Sequence, residues 1–292
     1  MGIHPYILHN GRIRESAFPE LRAGQIGLLA GWGIFTTLRI AGGVPFAWER
    51  HWARLSRDAE LLHVPMPASS LEVEGDLLRL VEANGRPDCT LRLAIVRNGG
   101  GMWEDALSKE NPIDVIALTA DSKQWPSGAR LGVQPNARFA GNEFAGAKIL
   151  SWAQNLTWAE CAQLRGLDET VLLNQHGNVA ECTSANIFAV FGREVLTPPL
   201  SDGCLPGITR EVLLDAVRVP DVAVAERSLT LDDLYRADEV FMTSTTRDLL
   251  PVLEIAGRSL RCSGTAREDL ASAFGAFMAA DIARRRNAGV PV

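Results

Sequence analysis

Gly177-Asn178-Val179-Ala180-Glu181-Cys182-Thr183-Ser184-Ala185-Asn186-Ile187-Phe188 sets a turn, a lone carboxylate and the head of an apolar run side by side. His176-Gly177-Asn178 is the turn signal. Glu169 to Asn174 before it and Ala185 to Phe191 after it have the length and apolar content of strands. Gly192-Arg193 then returns the chain into Glu194 to Thr197. Short strands joined by tight turns pair antiparallel, so this stretch argues against a regular parallel sheet. Glu181 has two readings here. A carboxylate at a turn is ordinarily solvated, whereas a buried one needs a cationic partner.

Toward the C-terminus, Pro198-Pro199 and a glycine-bearing loop lead to Leu205-Pro206-Gly207-Ile208-Thr209-Arg210, which opens a helix running to about Val217. The free N–H groups of such a helix start favour an anion, and Thr209 adds a hydroxyl. An ordinary capped helix start is the alternative. Glu239 to Thr243 and Val252 to Ile255 read as strands, and Ala266 to Arg284 as a final helix. Between the strands, Thr243-Ser244-Thr245-Thr246 offers four hydroxyls, able to bind phosphate or carboxylate or to satisfy their own backbone.

Toward the N-terminus, a helix is expected from Ser151 to Arg165, ended by Gly166. Ile34 to Ile40 and Val44 to Trp48 read as a strand pair around Gly42-Gly43. Glu49 to Leu62 places Trp52, Leu55, Ala59 and Leu62 at helical spacing, and Leu71 to Val81 is a second helix. Thr90 to Val96 and Ile113 to Thr119 read as buried strands flanking Gly99-Gly100-Gly101. The polar stretches Asp121 to Arg130 and Pro135 to Gly146 read as a linker. The pattern predicts an α+β protein with domains 1–125 and 126–292, matching the two domains that 292 residues suggest at about 150 residues each.

A net charge of −6 and the lack of a basic patch with interleaved aromatics argue against nucleic acid. The run Arg284-Arg285-Arg286 reads as a solvated helix end favoured by the helix dipole. Met1 to Asn10 shows no secretory signal, and no apolar run is long enough to span a membrane. Five dispersed cysteines and five dispersed histidines fit a cytoplasmic protein with reduced thiols and no metal site. No GxGxxG occurs, which disfavours a dinucleotide site.

Only three of the 29 basic residues are lysines. Lys109 and Lys123 sit in polar surroundings, but Lys148 lies between Phe144-Ala145-Gly146-Ala147 and Ile149-Leu150. A chain that otherwise uses arginine keeps a lysine in apolar surroundings either as a snorkelling side chain or for what arginine cannot do, namely lose its proton and attack a carbonyl.

The ordered series Phe35-Thr36-Thr37-Leu38-Arg39, His51-Trp52-Ala53-Arg54-Leu55, Ala147-Lys148, Gly166-Leu167-Asp168-Glu169, Glu181 to Asn186, Thr197-Pro198-Pro199, Leu205 to Arg210 and Ala237-Asp238-Glu239-Val240 resembles the class IV aminotransferases from about residue 25 to 260. That family includes branched-chain aminotransferases, D-amino-acid aminotransferases and 4-amino-4-deoxychorismate lyases. The resemblance implies the two-domain α+β fold of type IV pyridoxal 5′-phosphate (PLP) enzymes, like that of D-amino-acid aminotransferase, with PLP between the domains. It also implies a homodimer and amino-acid and 2-oxo-acid substrates. By resemblance, Lys148 forms the Schiff base and shuttles the proton, and Glu181 faces the pyridine nitrogen. Arg54, Ile208, Thr209 and Thr245 receive the phosphate. The Thr245-Thr246 turn is, by resemblance, the candidate for the substrate carboxylate; Arg97, at the mouth of the glycine loop, is a second candidate that reads equally as a solvated strand end.

Three departures qualify the match. Trp152 stands where branched-chain enzymes have a tyrosine. Phe35-Thr36-Thr37 is closer to the lyases, and Gly101-Met102 to the branched-chain enzymes. The leading expectation is amino transfer from an aliphatic, branched-chain amino acid to a 2-oxo acid. The alternative is a carbon–oxygen lyase releasing 4-aminobenzoate and pyruvate.

Overall fold

The computed structural model describes residues 2–17, 21, 24–101 and 110–287. Met102 and Lys109, named above, lie outside the described residues. The chain forms two compact units. The first takes 1–123, 148–152 and 278–292, and the second takes 124–147 and 153–277. The expected domains were contiguous. Here a five-residue piece containing Lys148 and the end of the last helix join the first unit instead.

The first unit contains β1 (Ile3–His9), β2 (Arg12–Glu15), α1 (Ile26–Ala30), β3 (Gly33–Ala41), β4 (Val44–Pro45), α2 (Trp48–Leu61), α3 (Ser70–Asn84), β5 (Cys89–Arg97) and β6 (Ile113–Ala120). Its six strands pair in the order β2-β1-β6-β5-β3-β4, all antiparallel. Leu38, Ile40, Leu91, Leu93 and Ala117 from the sheet form one core with Leu55 and Ala59 of α2 and Leu77 and Leu80 of α3. The expected strand Val44 to Trp48 is only two residues long. Ala47 turns left-handed at φ 53°, and α2 starts at Trp48, whose buried ring packs on Trp52 one turn later. The buried face of α2 also carries His51, Arg54 and Asp58, at i, i+3 and i+7. An otherwise standard amphipathic helix therefore presents three polar groups inward.

The second unit contains β7 (Ala129–Arg138), α4 (Ala153–Leu164), β8 (Glu169–Asn174), β9 (Val179–Cys182), β10 (Asn186–Phe191), β11 (Glu194–Thr197), α5 (Ile208–Asp215), β12 (Ala223–Glu226), α6 (Leu231–Arg236), β13 (Glu239–Ser244), β14 (Asp248–Ile255) and β15 (Arg258–Ser259). The last helix, α7 (Ala266–Asn287), begins in this unit and ends in the first. The strands run β12-β11-β10-β13-β14-β7-β8-β9, with β15 paired to β14. Pairing is mixed: β11/β12, β14/β7 and β7/β8 are parallel. The expected linker thus contains a central strand, β7. It is held from both sides by β14 and β8, and only its first half, with Ala129, Leu131 and Gly132 buried, carries a core signature.

Arg285 does not lie at a solvated helix end. It is buried and donates to Glu74 at 2.9 Å, to Asp281 at 3.3 Å and to Glu49. A carboxylate cluster on α2, α3 and α7 has drawn the arginine inward, because a buried guanidinium requires such partners.

Candidate active site

In the first unit the site is built on β3, α2 and the piece 148–152. Phe35 N–H donates to Lys148 C=O at 3.0 Å, and Leu150 N–H to Gly33 C=O at 2.9 Å. Lys148 N–H donates to Asp58 Oδ2 at 3.1 Å. The piece can run this close to β3 because residue 33 is glycine. A Cβ there would lie 2.6 Å from Leu150 Cδ1 and from Ile95 O. Lys148 Nζ lies 4.5 Å from the Phe35 ring centroid and 5.8 Å from that of Trp152, and the two rings meet edge to face. Lys123, by contrast, is exposed.

Arg54 is buried on α2, and its Nη2 donates to Thr36 Oγ1 at 2.8 Å. The same hydroxyl pairs with His51 Nδ1 at 2.6 Å. His51 is fully buried, and its Nε2 has no hydrogen-bond partner among the described residues. Burial first, then the charges of Arg54 and Lys148, push its pKa well below 6.5, so the imidazole is neutral. Arg97 is placed otherwise: its guanidinium donates to Gly99 C=O at 2.7 Å and to His63 C=O at 2.8 Å, and it stacks 3.9 Å above Trp32.

Arg92 was not foreseen. Its guanidinium carbon lies 3.9 Å from the centroid of Phe35, the ring that Lys148 also touches. Burial lowers its pKa, and it makes no ion pair among the described residues. In sequence it is one polar position of an alternating strand, which reads as solvent-facing.

In the second unit, Glu181 is buried on β9. Its Oε1 accepts from Arg138 Nε at 3.0 Å and its Oε2 from Leu205 N–H at 3.0 Å. Leu205 lies three residues before Ile208, at the start of α5. Gly207 is the N-cap and provides no side-chain cap, so the amides of the buried Ile208 and Thr209 receive none from it. Buried helix-start amides require an acceptor, and an anion fits them. Gly207 also admits Asn186, whose Oδ1 would stand 2.1 Å from a Cβ there and whose Nδ2 donates to Leu205 C=O.

Thr245 and Thr246 form the β13–β14 turn, where Thr246 Oγ1 lies 3.5 Å from Ser244 Oγ. Arg247, stacked 4.0 Å over Trp125, ties this turn to Ser184 C=O and to buried Glu169. The turn, the 181–186 segment and the start of α5 are therefore linked. Among the described residues no group of His, Cys, Asp and Glu is arranged to hold a metal, and no helix is long and apolar enough to cross a membrane.

A family model described as amino-transferase class IV matches residues 33–255. A protein of Methanocaldococcus jannaschii assigned as a branched-chain-amino-acid aminotransferase is 32% identical over 251 residues, covering 85% of this chain and 87% of the relative. A D-alanine aminotransferase of Bacillus licheniformis is 28% identical, with 87% and 89% covered. Among solved structures, the branched-chain aminotransferase of Thermoproteus uzoniensis with norvaline is similar at a TM-score of 0.84 and 25% identity, with 96% of each chain covered. The branched-chain amino acid aminotransferase of Escherichia coli is similar at 0.83 and 25%, with 94% of each covered.

The neutral His51 gives a signed pH dependence. Above pH 6.5 neither the folded nor the unfolded histidine binds a proton. Below it only the unfolded one does, so stability falls with pH until the folded group titrates. The loss approaches about 1.4 kcal/mol per pH unit. Denaturant titration at pH 7.5 and pH 5.5 should show a larger drop for the wild type than for His51→Gln, and equal drops would contradict the assignment.

Proposed function

The chain belongs to the class IV aminotransferases and moves amino groups between amino acids and 2-oxo acids, and we propose that Lys148 is the residue that binds its cofactor and carries the proton. The observation that carries this reading is the seat of Lys148, pinned by its backbone to β3 and α2 and flanked by Phe35 and Trp152. Pyridoxal 5′-phosphate, the cofactor of this class, supplies an electron sink for charge at the substrate α-carbon when bound.

Around that group the residues divide the work. Lys148 Nζ holds the cofactor and takes or returns the proton at the substrate α-carbon. Arg54, held by Thr36, gives the phosphate a charge-assisted partner. The uncapped amides of Ile208 and Thr209, with the hydroxyls of Thr209 and Thr245, complete its acceptor needs. Glu181 faces the ring nitrogen and keeps it protonated. We assign the substrate carboxylate to Arg92 rather than Arg97, because the donors of Arg97 already serve two carbonyls whereas Arg92 is a half-buried cation without an ion-pair partner among the described residues. Thr246 offers a further hydroxyl.

An aliphatic side chain is supported by the branched-chain relatives and the norvaline-bound structure. The carbon–oxygen lyase is the disfavoured alternative, since the relatives are named aminotransferases. The reading includes a cytoplasmic homodimer. Support comes from the class and from five free thiols, three of them buried.

Borohydride reduction followed by peptide mass spectrometry should place the pyridoxyl group on Lys148, and Lys148→Ala should lose both the visible absorbance and turnover. A label on Lys123 or Lys109 would overturn the assignment. Arg92→Ala should raise KM for the amino acid by about ten- to a hundredfold, the worth of one charge-assisted hydrogen bond, while the bound-cofactor absorbance persists. An unchanged KM would move the carboxylate elsewhere.

A further inference from the structure

Glu181 is held on both oxygens before any cofactor is considered. Arg138 Nε donates to Oε1 and Leu205 N–H to Oε2, each at 3.0 Å. One donor on each oxygen fixes the plane of the carboxylate. An ionised carboxylate offers about four lone-pair sites, so acceptor capacity remains for a third donor.

Arg138 is itself fixed at its other end. Its Nη2 donates to Asn155 Oδ1 at 3.2 Å, and buried Asn155 donates through Nδ2 to Thr183 C=O at 2.6 Å. The guanidinium also lies 5.8 Å from the Trp158 ring centroid. A continuous chain of hydrogen bonds thus runs from Thr183 through Asn155 and Arg138 to Glu181 and Leu205. Both ends return to segments that carry proposed cofactor groups.

We infer that Arg138 is a positioning residue that, by holding Glu181, keeps the proton on the cofactor's ring nitrogen. The inference rests on Glu181 facing that nitrogen. Two sites compete for one proton, the nitrogen and the carboxylate. Arg138 stabilises the carboxylate anion at hydrogen-bond distance, and it repels a protonated nitrogen from farther away, because the carboxylate stands nearer. The nearer interaction is the stronger. The pair therefore favours ionised carboxylate and protonated nitrogen. Without the guanidinium charge that preference weakens, and the ring becomes a poorer electron sink.

The test uses holoenzyme reconstituted with cofactor labelled with 15N in the ring, and compares wild type, Arg138→Gln, Arg138→Lys and Glu181→Gln. In Arg138→Gln the nitrogen resonance should move toward that of a neutral pyridine while the cofactor stays bound at Lys148. Abstraction of the α-proton should slow by roughly tenfold or more, with KM nearly unchanged. Arg138→Lys, which keeps the charge, should recover most of the wild-type resonance. If Arg138→Gln does not fold, Asn155→Ala, which releases the far end of Arg138, should shift the resonance less but in the same direction. A wild-type resonance in the Arg138 or Asn155 variant, with a shifted one in Glu181→Gln, would overturn the role of Arg138 alone. A wild-type resonance in Glu181→Gln would overturn the placement of Glu181 and this inference with it.

Discussion

Lys148 is anchored by its backbone. Its N–H is taken by Asp58 and its C=O by Phe35, while the next residues run beside β3 through an isolated bridge between Ile149 and Ile34. Side chains on flexible loops are poor catalysts because their reacting atom wanders. Here a short segment gains strand-like fixation from an already complete sheet. Two features of the sequence make this possible: glycine at 33, which lets the segment approach, and an aspartate one turn beyond Arg54 on α2. The helix that presents Arg54 therefore also positions the lysine.

The two units handle buried charge differently. In the first, Arg54 donates to the Thr36 hydroxyl, which also meets the neutral imidazole of His51. In the second, Glu181 is buried with an arginine already bonded to it, and Glu169 with Arg247 repeats the pattern beside the Thr245-Thr246 turn. A buried pair of this kind contributes little net stability, but losing one partner strands the other. Geometry is what these pairs supply.

Much of this was legible in the sequence. Lys148 stood out because lysine is scarce in the chain and its neighbours are apolar, and helical spacing located α2 and with it Arg54. The helix start at Gly207 was likewise visible. What stayed hidden depends on partners distant in the chain. Arg138 meets Glu181 across 43 positions, within a stretch whose prolines and polar residues look like linker. Its strand, β7, is stabilised by neighbours on both sides rather than by its own composition. Arg92 alternates with leucines as a solvent-facing residue would, and only the position of Phe35 on the adjacent strand reveals its stacking. Arg97 sits beside the glycine loop as its sequence position suggests, with two of its nitrogens on local carbonyls and its guanidinium over Trp32.

Amino transfer keeps the amino group on the enzyme between two half-reactions. The most direct measurement is the absorbance of the PLP-loaded enzyme after adding a branched-chain amino acid, with no 2-oxo acid present. It should convert to the pyridoxamine form, release one keto acid per bound cofactor, and revert when 2-oxoglutarate is added. No conversion with any L- or D-amino acid, together with pyruvate release from aminodeoxychorismate, would contradict it.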